Sequence, residues 1–161
     1  INFLKKKFKN LNYKKLSKIN LHSPKISEHS ATIAKKLSVR NILKKYQKNF
    51  VKSNKGCVLE GRDASTKIIP DSDVKFFFIC NLEIAAKRRY HDLKNYNSRI
   101  KLHEIKKALK QRNILDKKRK HSPLKKHQNA VVVNSGKLGK LAMLAKMSKY
   151  VERVLKTKYG N

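Results

Sequence analysis

"GCVLEGRDASTKIIPDSDVKFFFIC", residues 56–80, contains two short apolar runs, "CVLE" and "VKFFFIC", with Pro70 and Asp71 between them. Short β-branched and aromatic runs bounded by turn residues are the pattern of strands buried on both faces of a parallel sheet. Gly61-Arg62-Asp63 follows the first run directly. In open α/β sheets ligands sit outside the carboxyl ends of the strands, so this tripeptide stands where a ligand is held. A guanidinium suits a phosphate, and a carboxylate accepts from an exocyclic amine or a ribose hydroxyl. An Arg-Asp surface pair closing a turn explains the same letters equally well.

Working outward, Ile33, Ala34, Leu37, Ile42, Leu43, Tyr46 and Phe50 recur at three- and four-residue steps. That spacing predicts one helix or two abutting helices from Glu28 to about Val51. Residues 1–27 are lysine-laced and weakly periodic, and are read as short strand or loop pieces. Downstream, "NLEIAAKRRYHDLKNY" predicts a helix with an Asn81 cap and Glu83 in its first turn, and "RIKLHEIKKALKQRN" predicts another. A charged loop, "ILDKKRKHSPLKK", then leads to a third strand, "AVVVN", a short "SGKLG" loop and a last helix to about Lys156. Strand and helix alternate from Gly56 onward, which argues for a parallel α/β sheet.

The chain has 161 residues, enough for one domain with a core, and a formal charge of +32. Such a field attracts polyanions by releasing their counterions. Of the 42 cationic residues only eight are arginine: Arg40, Arg62, Arg88, Arg89, Arg99, Arg112, Arg119 and Arg153. Lysine spread from end to end is compatible with solvated faces, whereas arginine is selected for bidentate recognition of phosphate and carboxylate. The rare arginines are therefore the informative cations. Cys57 and Cys80 lack CxxC or histidine spacing, so they are read as buried reduced thiols, with no metal site and no disulfide framework. No apolar run approaches the ~20 residues of a membrane span, and no secretory signal is evident, so a cytoplasmic protein is expected.

Arg112, Asp116 and Arg119 form a second constellation at steps of four and three. They fall on one helical face or cluster in a loop ended by Ser122-Pro123-Leu124; with Lys117, Lys118 and Lys120 beside them, a solvated basic face is the competing reading. Arg88-Arg89 point to two faces of the helix after "VKFFFIC", so at most one of them need serve a ligand.

Taken together, "GRDASTKIIPDSDVKFFFICNLEIAAKRRYHDL" and "EIKKALKQRNILDKKRKHSPLKKHQNAVVVNSGKL" closely resemble the bacterial cytidylate (CMP/dCMP) kinases, from about Ser23 to Val154. The family pattern is G-R-D-x-G-T-x-x-x-P-D-A, an R-R helix, an E-R-D-x-R-D-x-x-R lid with A-P-L, and an A-x-x-x-D/N strand. The resemblance implies a P-loop-kinase-like, three-layer α/β/α fold around a parallel sheet. It also implies transfer of the terminal phosphate of ATP, with Mg²⁺, to CMP or dCMP by a monomer. In it Asp63 reads the cytosine amine, Arg62 holds the substrate phosphate, and Arg40 and Arg119 contact the base. Arg112 and Asp116 serve the ribose and lid, and Arg88 and Arg89 are the catalytic pair beside the phosphates in transfer.

The departures are specific. No G-x-x-x-x-G-K-[ST] occurs, so no ATP-cradling residues can be named, and the first strand, P-loop and first helix are expected to be missing. The chain starts at Ile1, with Met143 and Met147 its only methionines, which adds to the expectation of an N-terminally truncated, poorly active and poorly soluble fragment. On this reading residues 1–30 are a remnant of the CMP-binding insert and 31–160 the core, with a lid at about 112–126. Ser30-Ala31 stand where the family has a ribose serine, Ser65 replaces a glycine, and His22 replaces an arginine. The alternative is a basic nucleic-acid-binding protein on a kinase-derived scaffold; otherwise nucleic acid is only a non-specific partner of the lysines, and no membrane partner is expected.

Overall fold

Helix formers and the two apolar strand runs lay out the architecture in a computed structural model, which describes residues 2, 3, 6, 14, 24–54, 56–95 and 99–160. The elements are α1 (Pro24–Ile33), α2 (Leu37–Ser53), a π-helical turn (Ala64–Ile68), β1 (Phe76–Ile79), α3 (Leu82–Lys94), α4 (Leu102–Lys118), β2 (Val131–Asn134) and α5 (Lys140–Tyr159). β1 and β2 pair in parallel, Phe76 opposite Val131 and Ile79 opposite Asn134, and the backbone N–H of Ser135 extends the ladder to the Ile79 carbonyl at 2.9 Å. Parallel neighbours need a long crossover, and α3 and α4 provide it. The α/β class with a parallel sheet follows as expected.

The helix starts have local causes. The Asn81 side chain accepts from the Glu83 N–H at 2.8 Å and so caps α3, while Gly160, at φ 66°, closes α5 with its N–H on the Lys156 carbonyl. α4 packs against both α1 and α3. Ala86, Leu93 and Ile105 form the buried centre of the α3–α4 contact, with Tyr90, Ile100, Leu102 and Leu109 around it. Ile105 is 1 % exposed, so Ile105→Val, which deletes one methylene from a filled site, lowers unfolding free energy by about 1 kcal/mol in a denaturant titration. α5 has no fully buried residue and is held by edge contact of Tyr150 on Phe76, 5.8 Å between ring centroids. Asp73 adds a second tie, accepting from Tyr159 Oη at 3.2 Å and pairing with Lys158.

Several expectations are corrected. "CVLE" has no regular secondary structure and is unpaired, with Val58 97 % exposed; a strand exists only through a neighbour's backbone, and among the described residues none pairs with it. β1 and β2 are not buried on both faces, since Phe78, Ile79 and Val132 remain largely exposed. Cys80 is exposed and Cys57 half-buried; both are free thiols. Residues 114–118 are helical rather than loop, because α4 runs on to Lys118. Residues 24–27 are helical rather than strand or loop, as are 2, 3, 6 and 14; the rest of the reading of residues 1–27, and His22, lies outside the described residues. Among the described residues no helix is long and apolar enough to cross a membrane.

Candidate functional site

Three segments converge on one cluster of ion pairs. Arg40 comes from the first turn of α2, where its Nη1 donates to the Ala34 carbonyl at 3.4 Å. Arg62 and Asp63 come from the bend after "CVLE", fixed by the π-helical turn that Asp63 caps. The Asp63 carbonyl accepts from Lys67 N–H at 2.9 Å and Thr66 N–H at 3.2 Å, and Ile68 anchors the turn in the core. Single π turns are commonly found at functional sites, where they re-aim a side chain. Arg112, Asp116 and Arg119 come from the last turns and C-cap of α4, their steps of four and three aligning them on one face.

Two buried carboxylates organise this cluster. Asp63 pairs with Arg40 and lies 3.8 Å from Arg119 Nη2. Asp116, only 3 % exposed, accepts from Arg119 Nη1 at 3.0 Å and lies 3.4 Å from Arg62 Nε and 3.8 Å from Arg112 Nε. Arg119 bridges the two carboxylates. Four guanidiniums against two carboxylates leave two positive charges over. Burial, then the Arg62 charge, lowers the pKa of Arg112, while Asp116 opposes the shift. Burial, then Arg40, does the same to Arg119 against Asp116 and Asp63. The cationic forms are thus held under tension that an incoming anion relieves.

Unmet hydrogen-bonding capacity points the same way. Arg40 Nε, Arg112 Nε, Arg119 Nη2 and Asp116 Oδ2 are buried without a hydrogen-bond partner. Leaving such groups without hydrogen bonds is costly, and a polar ligand entering the cluster would be able to satisfy them. Six of the eight sequence-predicted site residues meet here: Arg40, Arg62, Asp63, Arg112, Asp116 and Arg119. Arg89, half-buried on α3, is near enough for its charge to lower the pKa of Arg112. Arg88 is exposed on α3 and none of these contacts includes it. Sequence reasoning noticed Ser122-Pro123-Leu124 only as the end of a segment, yet the Ser122 carbonyl accepts from Arg119 Nε. The residue type carries no sign of this, because the contact is made by backbone.

A parallel-sheet α/β protein with four arginines and two aspartates gathered in a part-buried cluster of surplus positive charge has chemistry suited to a phosphorylated ligand. The model of the family "Cytidylate kinase" matches residues 2–153, and the chain belongs to that family. It is 35% identical over 148 residues to a cytidylate kinase of Bartonella tribocorum, covering 92% of this chain and 69% of that protein. It is 37% identical over 131 residues to one from Bartonella quintana, covering 81% and 61%. A cytidylate kinase of Thermosipho melanesiensis is 33% identical over 136 residues, covering 84% and 59%. The chain thus spans about three-fifths to two-thirds of the length of these relatives.

Proposed function

We propose that this chain supplies the CMP- or dCMP-receiving part of a phosphotransferase that moves the terminal phosphate of ATP to the nucleoside monophosphate, giving CDP or dCDP. The observation that carries this reading is the doubly cationic cleft, whose surplus matches a phosphate monoester, which carries about −1.5 to −2 at neutral pH. The cluster divides into two halves. Asp63 with Arg40 and Arg119 receives the base, the carboxylate accepting from the cytosine amine. Arg62, Arg112 and Asp116 receive the phosphate and ribose.

Phosphoryl transfer asks mainly for positioning and for cations around the equatorial oxygens, which is the chemistry these arginines offer. Arg89, beside Arg112, is the better placed of the α3 pair to reach a phosphate in transfer. Arg88, the other member of that proposed pair, is exposed on α3. In such kinases a P-loop hydroxyl would hold the Mg²⁺ that offsets triphosphate charge; these 161 residues contain no such motif, so the residues present do not fit that role. We further assign residues 1–30 to a remnant of the CMP-binding insert, 31–160 to the core and about 112–126 to the lid, in a monomeric cytoplasmic protein. The lysines attract nucleic acid only non-specifically.

The test separates binding from chemistry. Titrated into the 161-residue polypeptide, CMP at ten times its Kd raises unfolding free energy by about 1.4 kcal/mol, and UMP raises it less. With ATP and Mg²⁺ the same polypeptide forms little or no CDP, because the phosphate-cradling loop is not in its sequence. Absence of any CMP-dependent stabilisation overturns the assignment of the cleft. Tight RNA binding with a steep salt dependence, insensitive to neutralising Arg62 or Arg112, supports the nucleic-acid reading instead.

A further inference from the structure

We propose that Ser122, through its backbone carbonyl rather than its hydroxyl, is the positioning residue that orients Arg119 in the cleft. The proposal rests on the cytidylate-binding reading for its ligand, but its geometry stands by itself. Arg119 has three nitrogens to satisfy. Nη1 donates to Asp116 Oδ1 at 3.0 Å, Nε donates to the Ser122 carbonyl, and Nη2 alone is buried without a hydrogen bond, 3.8 Å from Asp63. Two fixed acceptors define the plane of a guanidinium, so the third nitrogen is aimed, not merely nearby.

The carbonyl is itself fixed by an unusual backbone. Ser122 has φ 53°, and among the described residues it is the only one other than glycine with positive φ. It also precedes Pro123, whose ring disfavours compact conformations of the residue before it. A residue kept in such a conformation is over-determined by its surroundings, and such positions cluster where function needs a fixed atom. The surroundings are visible: the Leu124 N–H donates to the Asp116 carbonyl at 2.7 Å, pinning the turn back onto the end of α4. The same helix end thus carries Asp116, the turn's anchor, and Arg119, the turn's target.

The test compares Ser122→Gly, Ser122→Val and Leu124→Pro in the full chain. Glycine adopts positive φ without steric cost and keeps the carbonyl aimed; valine is strongly opposed to it, and proline at 124 removes the N–H that pins the turn. In the ligand-free protein the Nε–H proton of Arg119, read by NMR, is protected from solvent exchange in wild type and S122G and exchanges freely in S122V and L124P. At a temperature where circular dichroism shows all chains folded, CMP binds S122G within about twofold of wild type and S122V and L124P about tenfold more weakly. Inorganic phosphate, reaching the Arg62 and Arg112 half, binds all of them alike. Equal protection of the Nε–H in S122V and wild type overturns the proposal, and so does a parallel loss of phosphate and CMP binding, which marks a merely structural turn. Protection that follows the proposal in a chain that binds no CMP leaves the positioning intact and sinks the nucleotide reading alone.

Discussion

Asp116→Asn unfolds far more easily than the wild-type chain, by about 3 kcal/mol, because one buried carboxylate holds three guanidiniums in place. Asp116 is 3 % exposed, with Arg119 at 3.0 Å, Arg62 at 3.4 Å and Arg112 at 3.8 Å. Removing one partner of a buried ion pair costs about 3–5 kcal/mol, since the remaining charge is left without compensation. Here three cations are left facing one another, while the amide of asparagine keeps the volume and so excludes a cavity as the cause. Domain stabilities of about 5–15 kcal/mol make this a large fraction of the whole. The measurement is a urea titration with and without phosphate. A phosphate dianion entering the cleft replaces the missing charge, so the variant recovers part of its stability and gains more from the ligand than wild type does. A D116N midpoint equal to wild type, or insensitivity to phosphate in both, defeats the idea that this carboxylate is the electrostatic centre of the cluster.

The same residue shows how much of the structure could be read from letters. "VKFFFIC" and "AVVVN" became paired parallel strands because their β-branched and aromatic side chains suit a pleated, half-buried surface and each run has the other beside it. "CVLE", with one β-branched residue and no aromatic, stayed unpaired, since pairing depends on another segment's backbone and is not written in the run itself. Residues 114–118 looked like a charged loop, but lysine and leucine are good helix formers, and the Arg112 to Asp116 spacing of one turn favours continuation of α4. The gathering of arginines was legible from residue type. In a lysine-rich chain each arginine is a distinguishable choice, and four of the eight meet two aspartates in one cleft. The part that stayed hidden is carried by main chain: the Ala34 carbonyl on Arg40 and the Ser122 carbonyl on Arg119 depend on backbone angles that no residue name discloses.

Asp63→Asn changes which base is preferred. Asp63 is 9 % exposed, is tied to Arg40 and stands 3.8 Å from Arg119, so its oxygens are held and can only accept. Cytosine presents an amine donor at the position where uracil presents a carbonyl acceptor. A fixed carboxylate therefore rewards cytosine and penalises uracil, whose oxygen would face it without a proton between them. The asparagine amide has nearly the same shape but both a donor and an acceptor, and it can turn its NH₂ toward a uracil carbonyl. Loss of one charge-assisted hydrogen bond is worth about 1.5–3 kcal/mol, so CMP affinity falls roughly tenfold to a hundredfold. UMP affinity stays level or rises, and the ratio of the two approaches one. Calorimetric titration of both nucleotides into both chains measures that ratio directly, and it is insensitive to any general loosening of the fold, which weakens the two ligands together. If D63N lowers CMP and UMP affinity by the same factor, Asp63 holds Arg40 and Arg119 in place without reading the base, and its proposed role as the cytosine reader fails.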